Sequence, residues 1–126
     1  MKRDFDLIRK ILLEVEGSST PHFEGILAIA GYEDQVVQHH VSLLIDAGLI
    51  RALELSDPSS PEGFWLQDPQ LTWDGHEFLD KIRDPKIWKK TKEGAQVIGT
   101  WSISVLKEIA VSIAKQKAIE YGILIS

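Results

Sequence analysis

Apolar residues recur at intervals of three and four in two segments of the N-terminal half, which is the spacing of one face of an α-helix. The first segment, residues 4–16, has its stripe at Phe5, Ile8, Leu12 and Val15. The second, residues 32–50 with the sequence YEDQVVQHHVSLLIDAGLI, has its stripe at Val37, Val41, Leu44 and Ala47. The pattern predicts two helices. Asp34 is suited to cap the second, and Gly48 is suited to the left-handed position that ends it.

The segments around the second helix have the pattern of β-structure. Residues 20–30 are open to two interpretations, because Thr20 and Pro21 suit a helix start whereas the apolar run from Ile26 to Ala30 suits a buried strand. We favour a short strand or turn. In residues 50–73 the stretches IRALEL and GFWLQ flank the loop SDPSSPEG, which is dense in proline, glycine, serine and aspartate. This pattern predicts a β-hairpin with an exposed loop, the geometry of a wing.

The C-terminal half has the pattern of further helices. Residues 72–83 place Phe78, Leu79 and Ile82 on one face, with Thr72 or Asp74 near the cap. Asp84 followed by Pro85 predicts that the helix restarts there. Gly94 and Gly99 are interpreted as bracketing a connector, and a last helix is expected from about residue 104 to residue 121.

The composition is that of an ordinary globular protein. Of the 126 residues 44% are hydrophobic and 26% are charged, and the chain has no cysteine. The missing cysteines exclude disulfides, thiolate zinc sites and thiol catalysis. The N-terminus MKRDFDLIRK has no apolar signal region, and no apolar run approaches the roughly 18 residues of a membrane span. We therefore expect a soluble cytoplasmic protein without a membrane segment.

Charge is distributed unevenly along the chain, whose net charge is −5. Residues 14–80 contain 13 acidic side chains and one basic side chain, Arg51. Residues 81–92 contain six basic side chains and one acidic side chain, Asp84. A phosphate backbone would be repelled by the first block and attracted by the second.

Two motifs resemble those of winged-helix transcription regulators of the arsenic-responsive and antibiotic-resistance types. The first is the recognition segment ending in AGLI, residues 47–50, and the second is LTWDGHEFL, residues 71–79. A longer resemblance covers most of the chain. The stretches MKRDFDLIRKILLEVE, LLIDAGLI and LTWDGHEFLDKIRD, followed by WKK, are similar to the bacterial and phage family called domain of unknown function 2513. That resemblance implies a winged-helix-like fold and a phage or prophage context, and it brings no activity or catalytic residue with it.

These observations together predict an α+β fold, a winged helix-turn-helix with an additional C-terminal helix. We assign residues 1–93 to the winged-helix domain. Residues 94–126 are assigned to a connector and a C-terminal helix, which packs on that domain or forms a dimer contact.

The predicted recognition helix has polar residues on its outward face. With Val37, Val41 and Leu44 turned inward, the outward side chains are expected to be Gln35, Gln38, His39 and Ser42. Glutamine and serine can contact base edges. However, most non-specific DNA affinity comes from neutralising phosphates, and this helix has no lysine or arginine. Its face is therefore better suited to a protein partner or to solvent than to DNA.

The basic segment KIRDPKIWKKTK is the alternative DNA-facing surface. Its candidates are Lys86, Lys89, Lys90 and Lys92, with Trp88 placed among them to stack on a base. A solvated helix face with Trp88 and Ile87 buried is the interpretation we favour, because charge runs on helices are usually solvated.

Catalytic and metal-binding patterns are missing from the sequence. There is no nucleophile elbow, phosphate-binding loop or dinucleotide fingerprint. His39 and His40 are adjacent and point about 100° apart on a helix, unlike a helical zinc pair. We expect no enzyme activity, no metal and no cofactor, with His40 semi-buried and hydrogen-bonded near the wing.

The last helix is apolar on more than one side, with one line at Val105, Ile109 and Ile113 and another at Leu106, Ala110 and Ala114. Such a helix packs on its own domain or pairs with a second subunit. The functional hypothesis is a non-enzymatic winged-helix binding module whose acidic face meets a protein. The alternative is a DNA-binding transcriptional regulator that uses residues 81–92, and a homodimer through the C-terminal helix stays open.

Overall fold

The computed structural model describes residues 2–17, 24–25, 27–56 and 64–122. These residues form helices and strands in the order α1 (Phe5–Gly17), β1 (Glu24–Gly25), α2 (Asp34–Asp46), β2 (Ile50–Ser56), β3 (Phe64–Leu71), α3 (Trp73–Ile82), α4 (Pro85–Ile98) and α5 (Ile103–Glu120). Helices and an antiparallel sheet share the chain, so the α+β class predicted from the sequence is confirmed.

The chain divides into two compact units, Met1–His76 and Glu77–Ser126, and the boundary falls inside α3. The sequence placed a domain boundary after residue 93, at the start of a connector. That connector was wrong, because α4 continues through Gly94 to Ile98 and is followed by a short link, residues 99–102. The division into domains that fold independently stays a prediction.

The first unit buries one side of α1 and α2. From α1 the buried residues are Phe5, Leu7, Ile8, Ile11, Leu12 and Val15, which include the whole stripe seen in the sequence. Val37, Val41 and Leu44 are their counterparts on α2, whereas Ala47, the fourth residue of the predicted stripe, is exposed at the C-cap. Helix α1 packs on α2 and on β3, while α2 packs on β2. The helical periodicity of both segments therefore identified the core of this unit.

The three strands form one antiparallel sheet in the order β1-β3-β2. The hairpin predicted for residues 50–73 is confirmed, with Ile50 opposite Leu71 and Ser56 opposite Phe64. An irregularity in register lies between Arg51 and Leu53. The loop at the tip, with Asp57 and Glu62, lies outside the described residues, as does most of residues 18–26 except the two residues of β1.

The end of α2 and the start of α3 are joined by short polar contacts. The backbone N–H of Thr72 donates to the Leu49 carbonyl over 3.0 Å, and the Thr72 hydroxyl donates to the Gly48 carbonyl over 2.5 Å. The same hydroxyl accepts from the N–H of Gly75 over 3.0 Å, which is the bond of a helix N-cap. Gly48 has φ of 76°, the left-handed conformation predicted for it. The AGLI and LTWDG motifs therefore bind to each other.

The second unit contains an α-hairpin of α4 and α5. The two helices pack along their length, and a Cβ atom on Gly94 would lie 3.0 Å from Ile109 Cγ2. Leu106 and Ala110 of α5 and Trp88, Thr91 and Ala95 of α4 are buried. Gly99 ends α4 with φ of 80°, and Ser102 caps α5 by accepting from the Val105 N–H. The close approach of the two helices at Gly94 explains a glycine inside a helix, where it costs stability.

Asp84 is the N-cap of α4, as the sequence predicted. Its carboxylate accepts from the N–H groups of Lys86 and Ile87 over 2.7 and 3.2 Å, and those two bonds hold its pKa below the usual value. A carboxyl with a lowered pKa stabilises the fold above the pKa of the unfolded chain, and that contribution is lost as the pH falls through the lowered pKa.

We expect Asp84→Ala to lower the midpoint of thermal unfolding by a few degrees at pH 7, roughly 4 °C, because α4 loses its cap. Asp84→Asn keeps an acceptor oxygen, so its thermal midpoint at pH 7 should fall by less than that of Asp84→Ala. Because asparagine has no carboxyl to protonate, the stability of Asp84→Asn should also decline less steeply below about pH 4. Thermal melts followed by circular dichroism between pH 3 and pH 7 measure both effects. Equal acid sensitivity of Asp84→Asn and the wild type would contradict the assignment.

Candidate binding surfaces

The outward face of α2 differs at one position from the face predicted for it. Gln35 is exposed, and His39 and Ser42 are half-buried. Gln38 was wrongly placed on this face, because it is only 3% exposed and its side-chain amide donates to the Leu27 carbonyl over 3.3 Å. Gln38 lies on the helix next to Val37 and Val41, so it shares their buried side, and its side-chain amide has a backbone partner there.

Carboxylates surround the exposed part of α2. Glu33, Asp34 and Asp46 are exposed, and α2 contains no lysine or arginine. The N-cap position is occupied by Glu33 rather than by Asp34, and its side chain makes no capping hydrogen bond. The negative charge at the start of α2 lies where the helix dipole favours it. The surface formed by Glu33, Asp34, Gln35 and Asp46, hereafter the α2 surface, is therefore acidic and would repel a phosphate backbone.

His40 links α2 to the start of α1. It is fully buried, and its Nε2 accepts from the backbone N–H of Asp4 over 2.8 Å. Its Nδ1 lies 2.8 Å from the Val36 carbonyl, an oxygen that can only accept, so Nδ1 bears the proton and the ring is neutral. The expectation of a semi-buried histidine near the wing was wrong. His40 is a buried connector between two helices.

Tyr32 lies beside the acidic start of α1. Desolvation raises the pKa of its phenol, and the carboxylates of Asp4 and Asp6 raise it further. The Lys10 Nζ lies 5.3 Å from the centre of the Tyr32 ring, a cation–π contact. Tyr32 is therefore a neutral phenol that packs against α1.

Part of the basic segment is paired with acids of α3. Lys81 lies 3.5 Å from the Glu77 carboxylate, and Arg83 donates to Asp80 over 2.8 Å. Lys92 places its Nζ 5.6 Å from the centre of the Trp88 ring. Trp88 itself is 4% exposed, which confirms the buried interpretation and removes the ring from base stacking.

The remaining lysines of α4 line a groove between α4 and α5. Lys86, Lys89 and Lys90 are exposed, and Lys117 from α5 joins them around a groove of about 750 Å³. Glu93 and Glu120 also line it, and its apolar surface comes from Ile87, Ile113 and Tyr121. The structure therefore brings three predicted candidates together. It adds Lys117, which sequence reasoning missed because only the packing of α5 on α4 places it there.

The described ranges contain neither a metal-binding cluster nor a membrane-spanning helix. Those residues contain no cluster of three or more histidine, cysteine, aspartate or glutamate side chains able to hold a metal ion. His76 Nδ1 lies 3.8 Å from the Glu16 carboxylate and forms at most an isolated pair. Among the described helices, none is both long and apolar enough to cross a membrane.

Comparison with known proteins identifies the family. The family model described as Hypothetical protein (DUF2513) matches residues 2–101, which is most of the chain. The chain belongs to the DUF2513 family. An uncharacterized protein of Haemophilus influenzae is 38% identical over 120 residues, which cover 92% of this chain and 98% of that protein. No solved structure matches.

The DUF2513 match covers both motifs named from the sequence, the segment ending in AGLI and the segment LTWDGHEFL. Gly48 and Leu49 of the first motif bind Thr72 and Gly75 of the second, so both motifs build the junction between α2 and α3. In the DUF2513 chain the contacts between the two motifs give these residues a role in folding.

Proposed function

We propose that this DUF2513 protein is a non-enzymatic binding module of the winged-helix type, whose α2 surface contacts a protein. The charge of that surface is the main support. Glu33 and Asp34 are exposed beside Gln35, Asp46 is exposed at the other end of α2, and the helix has no cation with which to neutralise a phosphate. A protein partner with basic or hydrogen-bonding groups complements such a surface.

The order of elements supports the winged-helix type. A helix, a short strand, a helix and a β-hairpin follow one another, and β1 pairs with β3 of the hairpin. A helix-turn-helix places a first helix across the DNA backbone before the recognition helix, whereas residues 27–33 contain no helix. A protein partner is proposed from the charge of the α2 surface and not from this departure.

The hydrogen bonds of His40 occupy both of its ring nitrogens, which supports a structural role for this residue. A catalytic histidine needs a ring nitrogen free to reach its substrate. Both ring nitrogens of His40 are bonded to backbone groups, of Asp4 and of Val36, and the ring is fully buried. His40 therefore has a structural role, and we assign no acid–base role to it.

The DNA-binding alternative has one observation in its favour. Lys117 extends the cluster of Lys86, Lys89 and Lys90 across two helices, so a strand of nucleic acid could meet four cations there. Glu93 and Glu120 in the same groove and the burial of Trp88 weaken it. This candidate uses a different surface from the first, so one experiment can separate them.

Photo-crosslinking in cells tests the proposal with one photoreactive residue placed at Gln35 and, in a separate variant, at Lys89. We expect the Gln35 variant to form an adduct that is removed by protease and resists nuclease. The charge reversals Asp34→Lys and Asp46→Lys should abolish that adduct, because they invert the charge of the α2 surface. A photoreactive residue at Glu14, exposed on α1, is the control for non-specific capture.

The outcomes differ for the two candidates. A nuclease-sensitive adduct at Lys89, lost on addition of salt, would establish the DNA-binding alternative and overturn our proposal. Adducts at Glu14 that match those at Gln35 would also overturn it, since the α2 surface would then have no preference for a partner.

A further inference from the structure

We propose that a second copy of this chain docks along α5, with the two α5 helices antiparallel and related by a two-fold axis at Ser112. The proposal concerns α5 rather than the α2 surface and does not rest on the function proposed above. It follows from the order of side chains along the exposed side of α5.

One stripe of α5 is turned away from its buried side. Leu106 and Ala110 are buried. At intervals of three and four along another side of the helix the chain places Val105, Glu108, Ser112, Lys115 and Ile119. Val105 is half-buried, the three polar residues are exposed, and Ile119 is 59% exposed. This heptad spacing is the one that lets two helices pack along their length.

The charges on the stripe are complementary to themselves. Glu108 and Lys115 are seven residues apart, a rise of about 10 Å, so they are too far apart to pair within one helix. Among the described residues neither forms an ion pair. A two-fold axis perpendicular to α5 at Ser112 places Glu108 within one residue, a rise of about 1.5 Å, of the position opposite Lys115 of the partner subunit, and the reverse, so the two long side chains can pair. A parallel arrangement would place like charges together, so the charges select the antiparallel one.

The apolar ends of the stripe have the same symmetry. Val105 precedes Ser112 by seven residues and Ile119 follows it by seven. The same two-fold axis therefore places Val105 against Ile119 of the partner subunit at both ends of the contact. Ser112 has a small side chain, which allows the helices to approach closely where they cross. The exposed Ile119 would then be covered by apolar surface.

Other occupants fit this stripe less well. Glu108 and Lys115 give it no net charge, so an acidic peptide or a nucleic acid gains no electrostatic attraction there. The lysines that would attract a polyanion line the groove between α4 and α5, which shares only Ser112 with the stripe. A second copy of α5 is the partner that satisfies both charges and both apolar ends with a single symmetry operation.

Sedimentation equilibrium of the full chain tests the proposal. We expect the wild type to form dimers at concentrations up to about 200 µM. Glu108→Lys and Lys115→Glu should each raise the dissociation constant of the dimer at least about tenfold, because each dimer contains the pair twice. An equimolar mixture of the two variants should form heterodimers again, since opposite charges then face each other. The variants Glu14→Lys and Lys89→Glu have the same changes of net charge and should dimerise like the wild type.

Disulfide cross-linking locates the axis independently, because the chain has no cysteine of its own. Ser112→Cys should form a covalent dimer on mild oxidation, since the two-fold axis brings that position next to its own copy. Ser104→Cys is the matched control. Residue 104 is also an exposed serine of α5, but two copies of it would lie about 24 Å apart along the antiparallel pair.

Three results of these experiments would contradict the antiparallel dimer. A wild type that stays monomeric at about 200 µM overturns the proposal. So does a dimer whose single reversals weaken it without rescue in the mixture, or one in which residues 104 and 112 cross-link equally. Circular dichroism of each variant shows whether a loss of dimer comes from unfolding.

Discussion

Replacing Gly75 by alanine is expected to lower the free energy of unfolding by about 3 kcal/mol or more, a large effect for the addition of one methyl group. A Cβ atom at residue 75 would collide with the Leu49 carbonyl oxygen and lie 3.1 Å from the Leu49 carbonyl carbon. Backbone atoms cannot rotate away as a side chain can. Leu49 is buried and its carbonyl also accepts from Thr72, so the clash would separate the end of α2 from the start of α3.

Gly17→Ala is the matched control for Gly75→Ala. Both glycines lie in helices, but no described atom lies within 4 Å of a Cβ built on Gly17. Alanine there should be neutral or slightly stabilising, because it lowers the entropy of the unfolded chain. Urea unfolding followed by circular dichroism gives both free energies. If the two variants have the same stability, the close packing of α3 on Leu49 is refuted.

His40→Ala is expected to lower the free energy of unfolding by about 3 kcal/mol. The substitution leaves a cavity in a fully buried site and removes two hydrogen bonds, one to Asp4 and one to Val36. The bond to Asp4 joins α2 to the first residues of α1, which are far apart in sequence. Urea unfolding measures the total loss, and hydrogen exchange should show faster opening of α1.

Two further variants separate the contribution of packing from that of hydrogen bonding to the loss of stability at His40. His40→Phe fills most of the space without hydrogen bonds, so we expect it to recover the packing contribution but to leave the Asp4 N–H without its partner. His39→Ala changes the neighbouring, half-buried histidine and should cost less than about 0.5 kcal/mol. A His40→Ala variant as stable as His39→Ala would show that the connector role is wrong.

The most recognisable residues of the chain have structural roles. Gly48, Thr72 and Gly75 join α2 to α3, and His40 joins α2 to α1. A family can retain such residues whatever its members bind. The residues that would distinguish partners, such as Gln35 on α2 and Glu108 on α5, lie on exposed helix faces where folding demands little of them.

The sequence by itself determined where α1, α2, α3 and the hairpin lie, and it identified most of the apolar residues buried in α1 and α2. Spacings of three and four identified the stripes of α1 and α2, since a helix brings such positions to one side whatever it packs against. Asp84 and Pro85 marked the start of α4 for the same local reason. The charge blocks also followed from the sequence, and they separated an acidic surface from a basic segment before any packing was known.

Only the tertiary structure decided which polar residues are free to bind. Gln38 and His40 have the polarity of surface residues, yet both are buried because Leu27 and Asp4 offer backbone partners from distant parts of the chain. Gly94 suggested a helix break, but it lies inside a continuous helix, where a Cβ atom would lie only 3.0 Å from Ile109 Cγ2. Lys117 entered the basic groove only through the packing of α5 on α4. Each of these outcomes depends on contacts between segments far apart in sequence, which no local pattern specifies.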